Sequence, residues 1–137
     1  MQSKTKEFKL MNKQISTIAV FFIFTSILLG AFGAHGIKDY VSEELILTFN
    51  KGVKYLMYSG LGLLILALNN DKFSFSLKWS YRLIVLGSIL FSLNLFIYSF
   101  NENLPALKNF VHLVPIGGLL MIVGWGVLGV RLVKGKV

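Results

Sequence analysis

Two histidines, His35 and His112, are the only imidazoles in the chain, and there is no cysteine. A pair of neutral imidazoles can ligate haem iron or a divalent cation through the ring-nitrogen lone pairs. Such sites draw on further ligands or on a fixed spacing such as HExxH, and neither accompanies these two residues. Tyr55, Tyr58 and Tyr98 carry polar tips on apolar bodies, a chemistry suited to the membrane–water interface. Asn94 is the strongly polar side chain set deep in a long apolar run. Ion-coupled transport calls for an intramembrane carboxylate or arginine, so the amide is expected to form an interhelical hydrogen bond instead. Pro115 lacks a donor and is expected to kink its helix near Val111, with Gly117 and Gly118 just beyond. There is no phosphate-binding glycine loop, no catalytic triad and no nucleic-acid module. No catalytic residue, metal or cofactor is therefore expected, and the chain does not read as an enzyme.

The elements that must position these residues follow from the charges. The chain has 137 residues, 55% hydrophobic and 15% charged, with a mean hydropathy of +0.69. That composition excludes both a disordered chain and an ordinary water-soluble domain. Stretches of 24, 16, 19 and 22 residues without formal charge separate Lys13 from Lys38, Lys54 from Asp71, Arg82 from Glu102 and Lys108 from Arg131. About 20 helical residues cross a hydrocarbon core of about 30 Å. The pattern predicts spans at about 15–35, 53–69, 82–100 and 110–131. They form one transmembrane domain over 15–133, between basic tails at 1–14 and 134–137. The apolar run from Ile18 to Ala34 is longer than the roughly 7–15 residues of a signal sequence, so the first segment is read as a retained span.

Orientation follows from lysine and arginine, since positive loops resist translocation. Lys4, Lys6, Lys9, Lys13, Lys72, Lys78, Arg82, Arg131, Lys134 and Lys136 fall on one side of an even-numbered bundle. Lys38, Lys51, Lys54 and Lys108 fall on the other, offset by Asp39, Glu43, Glu44 and Glu102. Both termini are expected in the cytoplasm, with the chain multi-pass in a bacterial cytoplasmic (inner) membrane. The net charge of +8 is spread over tails and one loop, which suits anionic lipid head groups and not nucleic acid.

The expected fold is an all-α membrane protein, four transmembrane helices in a compact bundle. Between the first and second spans, Ser42 is a candidate N-cap, followed by Glu43 and Glu44 in a favourable first turn. Leu45, Ile46, Phe49 and Val53 then recur at helical spacing. This predicts a short amphipathic helix on the outer surface, with an extension of the second span as the competing reading. On the third span Gly87, Ser88, Phe91, Ser92, Asn94, Leu95, Tyr98 and Ser99 share an arc of about 160°. The polar members of that arc, Ser88, Ser92, Asn94 and Tyr98, are expected to face the other helices. Ala19, Ser26, Gly30 and Gly33 give the first span a small face, and Gly117, Gly118, Gly124, Gly126 and Gly129 do the same for the fourth. With this topology His35, Tyr55, Tyr58 and His112 are expected to meet in one outer polar cluster. There His35 would brace the junction through a hydrogen bond to a neighbouring helix or to backbone near Gly33–Gly36.

The string Gly30-Ala-Phe-Gly-Ala-His-Gly36, followed by Ile37 and Lys38, resembles a signature of one family. So do Phe49-Asn-Lys-Gly-Val-Lys-Tyr55 with Met57-Tyr58, then Phe91-Ser92, Pro115-Ile-Gly-Gly118 and Gly124-Trp125, in that order. The chain is similar over about residues 15–130 to the small membrane family of the domain of unknown function 423, the transmembrane protein 256-like proteins. The resemblance implies an integral membrane protein with four helices and no established activity. Its motif positions here are Gly30, Gly33, His35, Gly36, Pro115, Gly117 and Gly118. Two positions depart from the pattern: Leu56 and Ser59 stand where the second motif often has Gln and His.

Three function classes follow, in order. The first is an accessory or scaffold protein that binds another membrane protein or lipid. The second is a small transporter or channel, resting on Asn94 and the Pro115 notch. The third is a membrane enzyme acting on a lipid or quinone, resting on His35 and His112. The expected partners are membrane lipids, then a membrane protein or a second copy of this chain.

Overall fold

Backbone buried in hydrocarbon has no water to bond with, so each apolar stretch must satisfy its own amides and carbonyls as helix. A computed structural model describes the chain from residue 2 to residue 135, with side chains from Lys9 onward. Four α-helices follow in order: α1 (Gln2–His35), α2 (Glu43–Leu68), α3 (Lys78–Tyr98) and α4 (Val114–Lys134). A 3₁₀ turn occupies Asn70–Lys72, and a run of 3₁₀ turns occupies Pro105–Leu113. No strand occurs among the described residues. Four segments are long and apolar enough to cross a membrane: Lys9–His35, Glu43–Leu68, Lys78–Tyr98 and Pro105–Lys134. The 21 residues of α3 reach about 32 Å, matching the hydrocarbon core. Of the basic residues assigned to the tails, Lys4, Lys6 and Lys136 lie outside the described side chains.

Two sequence expectations change here. The segment expected to form a separate amphipathic helix is the first part of α2, which runs unbroken from Glu43 to Leu68. Nothing interrupts it, because no proline intervenes and Leu45, Phe49, Gly52, Leu56, Ser59 and Leu63 form one continuous buried stripe. Ser42 does occupy the N-cap position, but its side chain makes no capping bond. The second change concerns Pro115. It stands at the start of α4, where a helix amide has no partner to lose. Pro115 therefore begins a helix and does not kink one.

Side-chain and backbone bonds fix the direction of each helix. Near the chain's start, Asn70 Nδ2 donates to Asn12 Oδ1, and Arg131 reaches the carbonyl of Ser76. The start of α1, the α2–α3 connection and the end of α4 thus share one end of the bundle. At the opposite end, the Ser42 amide donates to Glu102 Oε2 at 3.0 Å, and Asn103 Nδ2 donates to the Tyr40 carbonyl at 2.9 Å. The chain runs up, down, up and down.

Packing proceeds from neighbour to neighbour, α1 on α2, α2 on α3 and α3 on α4. Small residues set the approach, since membrane helices associate by close contact and not by expelling water. A Cβ added at Gly87 would lie 2.7 Å from both the Gly117 carbonyl oxygen and the Met121 amide nitrogen. At Gly60 it would lie 3.0 Å from the Ala19 carbonyl oxygen. Backbone therefore meets backbone at the α3–α4 and α1–α2 crossings. Gly126 and Gly129 approach nothing and lie on the outward face of α4. One apolar core runs from Ala19, Phe22 and Leu56 to Tyr81, Ile84 and Leu128. A second, formed by Ile37, Val41, Leu45 and Phe49, lies under the end opposite the termini.

Candidate functional site

The polar side chains of α3 sit where that helix meets its neighbours. Ser88, Ser92 and Asn94 are buried, and Tyr98 is half-buried. Ser92 Oγ donates across the α2–α3 crossing to the Gly52 carbonyl at 2.9 Å. Ser88 Oγ lies 2.7 Å from the Ile84 carbonyl and 3.4 Å from Met121 Sδ. A hydroxyl has one proton, and the carbonyl is the stronger acceptor, so the thioether is left to Ser59. Ser59 Oγ donates to Met121 Sδ at 3.7 Å. A seam of hydroxyls and one thioether thereby joins α2, α3 and α4. Asn94 does not take the interhelical bond expected of it. Its amide donates to the Leu90 carbonyl of its own helix, an acceptor one turn away that needs no second element.

Beside this seam lies an aromatic face. The rings of Tyr55 and Phe91 are 4.8 Å apart, and those of Tyr55 and Tyr58 are 6.1 Å apart. The Trp125 indole covers Gly62, where an added Cβ would come within 2.6 Å of it. Tyr58 is 62% exposed and Trp125 38% exposed, so this face looks outward into the membrane. It continues along α4 through the exposed Leu119, Ile122 and Val130.

The expected outer cluster does not assemble. Gly33 packs against Phe49 and Asn50, and Gly30 against Val53, which sets the register of α1 on α2. In that register Tyr55 lies about eight residues, or about 12 Å, further into the bundle than His35. The cause is the early start of α2, which draws the tyrosine pair away from the helix end. His35 and His112 are both exposed. Among the described residues, neither imidazole forms a hydrogen bond or a ring contact with Tyr55 or Tyr58. The turn after α1 closes instead by backbone bonds, with the Gly36 and Ile37 amides on the Phe32 carbonyl at 2.7 and 3.2 Å. No group of three or more His, Cys, Asp or Glu side chains placed to hold a metal occurs among the described residues.

Several residues at the two ends escape the sequence reading. Glu102 is the carboxylate that receives the amide of Ser42, the N-cap of α2, a favourable charge at a positive helix end. Asn12, Asn70, Ser76 and Arg131 tie the opposite end together. Their polar types at helix termini are a signal, but the partner of each is set only by folding. Ser59, noted in the sequence for what it replaces, lies on the buried stripe of α2.

Four apolar spans, polar groups turned inward and aromatic or aliphatic side chains turned outward define a multi-pass integral membrane protein. The profile of the protein of unknown function family DUF423 matches residues 29–118. A UPF0382 membrane protein of Staphylococcus epidermidis (strain ATCC 12228) is 35% identical over 105 residues, covering 77% of this chain and 83% of the relative. A second, UPF0382 membrane protein SH2409 of Staphylococcus haemolyticus, is 38% identical over 96 residues, 70% of this chain and 75% of its own. UPF0382 membrane protein YwdK of Bacillus subtilis is 34% identical over 108 residues, 77% of this chain and 85% of its own. The chain belongs to the DUF423 family. No solved structure matches it.

Proposed function

We propose that this protein is an accessory or scaffold component of a bacterial cytoplasmic membrane, with both termini in the cytoplasm and no catalysis of its own. The observation that carries the reading is how the polar groups are used. Ser88, Ser92, Ser99, Asn94 and Asn101 all donate to backbone carbonyls within the protein, which stiffens a bundle and commits these groups to structure. The surface offered to other molecules is the aromatic and aliphatic face of α2 and α4, with Tyr58, Ile122 and Trp125 outward. Flat apolar faces with small residues nearby favour contact with another membrane helix or with lipid.

Purification in native nanodiscs, followed by quantitative mass spectrometry of retained proteins and lipids, tests this. A species retained at a fixed ratio by the wild type and lost from Ile122→Trp is the expected result. Solute flux through liposomes that disappears in Asn94→Ala would replace the reading with a transporter. Product formed from a lipid or quinone, and lost in His35→Ala with folding intact, would replace it with an enzyme. Cysteines at Ser3 and Asn103 should label from opposite sides of intact cells.

A further inference from the structure

We propose that a groove between α1 and α3, at the end carrying both termini, is a binding site for the head group and upper acyl chains of an anionic phospholipid. The inference rests on the accessory reading above and names the lipid in it. The groove exists because α1 leans on α2 through the Ala19–Gly60 contact and leaves α3 uncovered beside it. It measures about 1090 Å³, with Ile15, Ile18 and Tyr81 along it and Lys13, Lys78 and Arg82 beside them. Among the described residues, the three charged side chains that line it are all basic.

The distribution of charge matches one kind of occupant. Lys78 and Arg82 are one turn apart on α3, so they share a face. The Arg82 guanidinium lies 5.5 Å from the Trp79 ring centroid, a cation–π contact that holds it beside an interfacial aromatic. The start of α3 adds the positive end of its dipole. A phosphodiester would accept from the guanidinium fork and from two ammonium groups. Beyond Lys13 there is no formal charge until Lys38, so the groove passes from a cationic rim to an apolar floor at the depth where head group gives way to chain. A free phosphate uses only the rim, whereas a phospholipid uses both. The Tyr81 side chain is 1% exposed, and its hydroxyl is buried with no hydrogen-bond partner.

The experiment uses the full chain carrying Trp125→Phe, so that Trp79 is the sole indole, in phosphatidylcholine vesicles. One-fifth of the lipid is replaced by acyl-brominated phosphatidylglycerol or, in parallel, by acyl-brominated phosphatidylcholine. Stronger quenching of Trp79 by the anionic lipid at equal mole fraction is expected. The preference should fall about fivefold for each of Lys13→Gln, Lys78→Gln and Arg82→Gln. It should also fall in Ile15→Phe, which crowds the groove without changing charge or adding an indole. Lys38→Gln with Lys108→Gln, at the other end, should leave it unchanged. Equal quenching by the two lipids overturns the proposal, as does an equal loss from the Lys38 and Lys108 changes, which would signify diffuse attraction. Abolition of the preference by millimolar inorganic phosphate, at ionic strength held constant, would assign the site to a free anion and also overturn it. A retained protein partner without lipid preference would sink this proposal and spare the accessory reading. Lipid preference at the groove with no retained species lost on Ile122→Trp would do the reverse.

Discussion

The two ends of this bundle are built on different principles. At the end away from the termini, the loops are bonded to one another and lie over an apolar core of their own. Glu102 holds the Ser42 amide at the N-cap of α2, Asn103 holds Tyr40, and Ile37, Val41, Leu45 and Phe49 fill the space beneath. At the end with the termini, the ties run between Asn12 and Asn70 and between Ser76 and Arg131. A basic groove stays open beside them. One end is sealed by packing, and the other presents charge. The difference shows how a small membrane domain can be rigid at one interface while remaining available at the other.

The largest effect is expected at the crossing that keeps the two ends in register. Gly117→Leu would drive a side chain into the backbone of α3 near Phe91 and Gly87. Backbone has little room to yield, so a loss of at least about 3 kcal/mol is expected. Thermal unfolding in detergent should show no cooperative transition near that of the wild type. Gly126→Leu, at a position with open space around it, should unfold as the wild type does. Similar melting of the two variants would remove the crossing from the account.

Smaller effects separate the ends themselves. Glu102→Ala removes the charge that meets the start of α2 and should cost about 1 kcal/mol. Hydrogen exchange should quicken at the Ser42 amide while amides near Asn70 stay protected. Equal quickening at both ends would mean that they unfold as one unit. Ser92→Ala removes one interhelical hydrogen bond inside the seam and should cost about 0.5–1 kcal/mol, read as a lower melting temperature. The Gly52 carbonyl lies within α2 and keeps its helical donor, so no buried acceptor is stranded.

The smallest change is expected at His35. The sequence reading gives this ring a bracing role, which predicts instability on replacement. In the folded chain the ring is exposed and bonds to no described residue. His35→Ala should therefore shift stability by less than about 0.5 kcal/mol. A shift above 1 kcal/mol, measured by the same detergent melt, would restore the bracing role.

Four spans, their approximate centres and the unlike faces of α3 were legible in the chain because hydrocarbon imposes strong, local conditions. Some 20 consecutive residues must avoid charge, and polar groups must gather on one side. Those conditions act on each segment separately, so composition and period report them directly. Element ends were less legible. The charge pattern sets the start of the second span at Lys51 and Lys54, yet a helix continues past the membrane surface wherever nothing breaks it. Lys51 and Lys54 are simply exposed on its outward side. That ten-residue difference is what displaced Tyr55 and Tyr58 from the expected junction with His35.

The sequence by itself determined that this is a helical membrane protein and that Ser88, Ser92 and Asn94 of α3 avoid lipid, because the solvent reads each residue where it stands. The tertiary structure alone decided that Ser59 meets Met121, that Glu102 serves a helix 60 residues away, and that α1 leaves α3 uncovered beside Lys13. Those facts depend on which small residues touch at each crossing. A contact between distant segments is a property of two surfaces at once, and no single stretch of chain encodes it.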